Sequence, residues 1–369
     1  MRSHHRALWL GATAALAIAA PSVASASPFI DGLSSTHLIA SAVPATGLGK
    51  GDENPYGVAV VPSTVGTLVR GDVLVSNFNN AQNQQGTGSS IVEVSPTGHV
   101  RVFSVVPKPT ATPAVGLTTA LVVLRSGYVI VGSLPAPGGN LSAARAGALT
   151  ILDASGHVVE TLAGGDINGP WDMTAVDHGS RATLFVTNVL NGTVAGKGKD
   201  VNRGTVIRIG LRIRNGHIPD VTSNHVIANG FAEHTDASAL VIGPTGVGLG
   251  PHGVLYVADS VGNRIAAIPH ALTRSSILGG GGMSVSVGGS LNDPLGLAIA
   301  PNGDVISANG GDGRIVETTT AGVQSATRTL VPDGGGDLFG IALTMSQHGL
   351  FFVNDAGSGS DANSLELLR

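Results

Sequence analysis

Carboxylates and amides recur at one place in this chain, in the turn just before a short apolar run. Glu53 and Asn54, Asn168, Asp236, Asn292 and Asp293, and Asp337 all stand there. Oxygen donors gathered from several turns suit a hard cation, since calcium takes about six to eight oxygens from carboxylates, amides, carbonyls and water. These seven residues are therefore the expected ligands of calcium or another divalent cation. The chain has no cysteine, and His234 is the one histidine beside these turns, so zinc chemistry is a poor match. His234 is the candidate general base. A plainer reading of the same residues is conformational. Asn, Asp and Gly tolerate unusual backbone angles and bond their own loops, and would fill such turns in a protein without activity.

A second polar column closes the following strand: Asn77, Ser133, Asn188, Asp259, Asn309 and Asp355. Strand direction alternates within a hairpin, so this column is expected at the same end as the first. It either bonds loop backbone or forms a rim that touches ligand. Tyr56 and Trp171 lie beside both columns, placed to stack on a ligand or to pack against a neighbour. The loops after the second column are unequal. Residues 77–89, 133–147 and 188–204 are long, and the corresponding later loops are short. One side of the site is expected to be walled and the other open, and loops on a rigid scaffold often carry binding.

The elements that must hold these residues form a repeat. Short apolar rows anchored at Val58, Leu121, Met173, Leu240, Leu297 and Ile341 read as first strands, buried on both faces. Each is followed by a second strand, with turn pairs such as Asn302-Gly303 between them, and then by a third. A fourth strand follows in five units; the sixth unit ends at Arg369 without one. Residues 36–43, Thr36 to Val43, resemble the missing strand. Repetition at this period signals a solenoid or propeller. The reading is an all-β, six-bladed β-propeller of four-stranded antiparallel blades, closed by an N-terminal strand that completes the last blade.

Two phrases, Leu255-Tyr-Val-Ala-Asp259-Ser-Val-Gly-Asn263-Arg-Ile265 and Asp304-Val-Ile-Ser-Ala-Asn309-Gly-Gly-Asp-Gly-Arg-Ile315, resemble the core of an NHL repeat. The chain thus resembles NHL-repeat proteins and the wider six-bladed, TolB-like propellers over residues 36–369. That resemblance implies the blade architecture. Related propellers include gluconolactonases, paraoxonase-like lactonases, strictosidine-synthase-like enzymes, peptide-amidating lyases and pure binding modules, so it does not single out an activity. The lactonases among them hold a divalent metal at the axis with Glu, Asn and Asp. Glu53-Asn-Pro55 is similar to the Glu-x-Pro that opens their first blade, although the surrounding sequence departs from theirs.

Composition bounds the rest. Of 369 residues 54 are Gly, charged residues are 12%, and net charge is −4. No basic stripe is present, which argues against a nucleic-acid partner. Arg2, His4, His5 and Arg6 precede the apolar run Ala7–Ala20, and Ala24-Ser25-Ala26 reads as a cleavage site. Residues 1–26 are expected to be a secretory signal and 27–369 a single propeller. The run is shorter than the ~20 residues a membrane span needs, so no stable span is expected after cleavage. The protein is expected to be exported, to the periplasm or the extracellular space. Its expected role is to bind an unknown small molecule or protein at the polar mouth of the channel. The alternative is a divalent-metal-dependent lactonase-type hydrolase or lyase with an axial cation.

Overall fold

The computed structural model describes residues 27–108, 114–356 and 362–369; the expected signal segment lies outside them. Six antiparallel sheets are arranged as blades. Their inner strands are Glu53–Val60, Leu117–Val123, Pro170–Asp177, Pro244–Leu249, Pro294–Ile299 and Leu338–Leu343. Each packs against the next, and the sixth packs against the first, so the ring closes. Closure inside the last blade matches the sequence reading. Thr36–Ser41 pairs with Ser364–Leu368, in register from Thr36↔Leu368 to Ser41↔Ser364. The segment before it is anchored as well: buried Glu317 accepts from the backbone amides of Phe29 and Ile30, each at 2.8 Å.

Inner strands form because their residues are apolar on both faces and lie between two neighbouring blades, a setting that suits nearly continuous Val, Ile and Leu runs. Each carries a bulge near its start. In blade five, for example, Pro294 pairs with Asn309 and the next partners are Leu297 and Ser307. The bulge swings the strand start toward the axis.

Two departures from the sequence reading matter for function. Blade four does not begin at Leu240. Its inner strand is Pro244–Leu249, and Leu240–Ile242 is a short strand paired back onto His234–Asp236. Blade three is enlarged correspondingly. Its third and fourth strands, Val201–Arg214 and His217–Asp236, form a hairpin overrunning the sheet, and Leu240–Ile242 adds a fifth strand. An apolar triplet was mistaken for a blade core because it is equally buried, but under a lid rather than between blades.

Candidate functional site

The columns expected at one mouth can now be placed residue by residue. The residues immediately before the inner strands' first paired positions are Gly116, Gly169, Gly243, Asp293 and Asp337 in blades two to six; blade one pairs from Glu53, and the equivalent residue there is Asn54, before the Pro55↔Asn77 pair. Asn54 and Asp293 have φ of 57° and 53°, and Gly116 and Gly169 also have positive φ. Left-handed backbone admits Gly readily and Asn or Asp next, which explains the residue types in this column. Blade four contributes only Ile242 and Gly243. Asp236 therefore leads into no inner strand, a correction that follows from the shifted start of that blade. It caps the lid turn instead, with Oδ1 accepting from Ser238 at 2.7 Å and Ala239 at 3.0 Å.

Asp236 nonetheless reaches the mouth, because the overrunning hairpin carries it there. Its charge acts on Asp293, and the charges of Asp337 and Glu53 act on Asp355. Burial, then Asp236, pushes Asp293 up to about 6, with His234 pulling the other way. Burial, then Asp337 and Glu53, pushes Asp355 up to about 6. Glu53 and Asp337 are also raised by burial. Beneath them lies the Tyr56 hydroxyl, pushed up by burial and by Asp355, Asp236 and Asp293. Among the described residues Asn54 Oδ1, Asp293 Oδ1 and Tyr56 Oη are buried without a well-formed hydrogen bond, although Asn54 lies near the Tyr56 hydroxyl and Ser260 near Asp293. The acids thus come from blades five, six and one and from the blade-three lid.

The remaining amides of the first column are engaged or turned outward. Asn168 Nδ2 donates to the Leu190 carbonyl at 2.8 Å, and Asn292 is exposed. In the second column Asn77 donates to the Ala42 carbonyl, Asn188 accepts from the Asn168 amide, and Asn309 donates to the Ser290 carbonyl. Asp259 accepts from Arg264 at 2.7 Å. These four are fully buried or nearly so. In blade six the residue facing Leu338 is Asn354, so Asp355 lies one step beyond the column, toward the acids.

Tyr56 and Trp171 have no exposed surface. With Phe78 and Phe339 they form an aromatic plug across the channel. Tyr56 stacks on Phe78 at 4.5 Å and 13°, and meets Phe339 at 4.1 Å and Trp171 at 5.6 Å. Such pairs add about 0.5–1.5 kcal/mol each beyond area burial. The long loops roof this plug. Leu134, Leu190, Leu240 and Val241 belong to the same apolar cluster, and Gln85 Nε2 donates to the Ser238 carbonyl at 2.6 Å. The walled side of the mouth is therefore filled.

His234 sits at the lid's edge with Nδ1 2.7 Å from Asp200 Oδ1. Among the described residues no three His, Asp or Glu side chains gather closely enough to hold one metal ion directly. The donor set fits a cation that keeps part of its water shell, as magnesium does and calcium can, better than an all-protein cage.

A residue not singled out from the sequence lies below the plug. Asp172 occupies the position held by Gly57, Gly246, Gly296 and Gly340 in other inner strands. It lines a channel cavity of about 370 Å³. Burial pushes its carboxyl up to about 7, against hydrogen bonds from the Met173 and Val247 amides. The Val247 amide is 2.9 Å from Oδ2.

No helix among the described residues is long and apolar enough to cross a membrane. No family model and no curated protein matches the chain. Solved structures do resemble it. A calcium-binding protein, regucalcin, from Agrobacterium tumefaciens is similar at TM-score 0.55 and 14% identity, over 90% of this chain and 93% of its own. The PQQ-bound form of aldose sugar dehydrogenase from Streptomyces coelicolor is similar at TM-score 0.56 and 16% identity, over 90% and 98%. A gluconolactonase from Xanthomonas campestris is similar at TM-score 0.51 and 13% identity, over 91% and 95%. At such identities the likeness concerns architecture alone, and it agrees with the sheets: the chain is a six-bladed β-propeller closed by its N-terminal strand.

Proposed function

We propose that this propeller is an exported binding protein whose ligand surface is the acidic half of the mouth. The ligand is a small molecule or protein segment held there with a partly hydrated divalent cation, calcium being the first candidate. One observation carries this reading: burial raises Glu53, Asp293, Asp337 and Asp355, and the charge of Asp236 adds to it at Asp293 and those of Asp337 and Glu53 at Asp355. A cation would relieve the repulsion between these charges, with the buried Asn54 and Asp293 Oδ1 atoms among its acceptors. The test is a thermal melt with calcium, magnesium and EDTA, for the native chain and an Asp293→Asn/Asp355→Asn double variant. The native protein should be stabilised by cation and the variant should not. A native melt indifferent to cations and chelator refutes the reading.

A second reading has its own support in the His234–Asp200 pair. A bound cation would supply polarisation of a carbonyl, as in metal-assisted hydrolysis. Asp200 would orient His234, whose other ring nitrogen would take a proton from water, making a lactonase-type hydrolase or a lyase. The gluconolactonase of the same fold lends this reading its substrate class. Turnover of a lactone and ester panel that His234→Gln abolishes would establish it, and no turnover by the native protein would exclude it for that panel.

A further inference from the structure

The channel below the aromatic plug is walled by the six inner strands and holds about 370 Å³. Aliphatic side chains, among them Val58, Leu121, Met173, Leu297 and Ile341, line it together with exposed backbone and the threonines Thr119 and Thr174. Of the described residues lining it, only Asp172 and Asp177 ionise, and both stand on the blade-three strand. Asp177 is at the far rim, where it accepts from the Arg125 amide at 2.6 Å and the Gly179 amide at 2.7 Å. The inner strands of blades one, two, four, five and six bring no charged group to the chamber. Asp172 therefore has no cation partner. Two backbone amides use part of its capacity, and a carboxylate has about four acceptor positions.

Four other blades carry glycine at this point, where a side chain would strike the next blade. A Cβ on Gly246, Gly296 or Gly340 would lie 2.1–2.3 Å from a neighbouring carbonyl oxygen. Blade three instead holds a carboxyl that reaches blade four's backbone and borders the cavity. Packing needs no charge there, and a buried unpaired carboxylate is costly.

We propose that this channel binds a small organic ammonium, its charge paired with Asp172 and its hydrocarbon body laid against the aliphatic side chains of the neighbouring inner strands. The volume falls in the lower part of the range for small-molecule sites. A bare metal ion fits worse, because the wall offers Asp172 and, at the far rim, Asp177, where calcium needs about six to eight oxygens. The plug closes the mouth end, so the ligand enters from the face where Leu124, Asp177 and Leu343 lie. This site is separate from the acidic mouth and does not rest on the function proposed for it.

Cyclohexylammonium is a suitable probe and cyclohexanol its neutral counterpart, both titrated calorimetrically into the full chain. The ammonium should bind and cyclohexanol should bind at least about tenfold more weakly. Asp172→Asn should weaken the ammonium by about 10- to 100-fold, whereas Asp293→Asn/Asp355→Asn should leave it unchanged. If Asp172→Asn does not fold, the native protein still decides the matter through pH. Ammonium affinity should fall by about tenfold per unit below pH 7, as Asp172 protonates, and cyclohexanol should show no such dependence. No ammonium binding, equal binding of the two probes, or loss in the mouth variant alone would overturn the proposal.

Discussion

The glycines at the axis are there for space. Gly57, Gly246, Gly296 and Gly340 do not have positive φ, yet a Cβ on Gly340 would sit 2.1 Å from the Tyr56 carbonyl oxygen. That oxygen belongs to the neighbouring inner strand and cannot swing aside as a side-chain end would. Gly340→Ala should therefore cost about 1–3 kcal/mol or more by overpacking, read as a lower denaturant midpoint. Gly32→Ala, with open space around it, is the control and should change little. An unmoved midpoint for Gly340→Ala would contradict the packing of the ring. The same comparison shows what could have been read at Asp172. Pro170-Trp-Asp172 aligns with Pro55-Tyr-Gly57 and Pro294-Leu-Gly296, so the substitution of an acid for glycine was visible in the repeat. Its burial was not visible, because the atoms that enclose it come from blades far apart in the chain.

The lid of blade three is the element that makes the mouth asymmetric. Its hairpin leads into Leu240, the first residue of the short strand beneath it, which is fully buried in the plug cluster with φ of 64°. Left-handed backbone costs an ordinary residue roughly 1–2 kcal/mol, so packing holds Leu240 against its own preference. Leu240→Ala should lose about 2–5 kcal/mol of packing and keep the strain. Leu240→Gly loses slightly more side chain and sheds the strain, so it should be no less stable than Leu240→Ala in urea denaturation. A glycine variant clearly weaker than the alanine variant would mean that backbone strain at this turn is negligible. This element also explains where sequence reading failed. Leu240-Val-Ile looks more like a blade core than Pro244-Thr-Gly-Val-Gly-Leu249, whose two glycines dilute its apolar pattern. The Pro-x-Gly phrase shared with Pro294-Leu-Gly296 marks the true strand. In blades one and five the apolar anchor follows the phrase directly, and in blades two, three and six the anchors Leu121, Met173 and Ile341 fall within the observed inner strands, so these five inner strands and the closing strand were legible. The acidic cluster was legible only in part. Asp236 was chosen for a position it does not hold, and it reaches the mouth through a hairpin overrun that periodicity does not encode.

At the scale of the whole molecule, buried carboxyls set how stability responds to pH. Burial raises Glu233 to about 8, Asp172 to about 7, and Asp293 and Asp355 to about 6. An unfolded chain titrates such groups near 4. Between those values the folded state holds more protons than the unfolded state, so stability falls as pH rises. The contribution is full below about pH 4 and is lost progressively up to about pH 8. Asp153 is lowered, with hydrogen bonds from His157 and Ser155 outweighing its burial. It acts in the opposite sense, but only below the usual carboxylate range, outside this window. Calorimetric melts at pH 5, 6.5 and 8 in EDTA should therefore show Tm falling by several degrees, and a flat or rising Tm would contradict the burial of these groups. The proposed cation site makes a sharper demand. A divalent ion offsets the charge on Asp293 and Asp355 only once these two are ionised, and it does not reach Asp172 or Glu233. The stabilisation given by calcium should thus be small at pH 5, grow through pH 6, and level off by about pH 7, while the remaining decline toward pH 8 persists with calcium present. A calcium effect already complete at pH 5 would mean that the ion binds elsewhere.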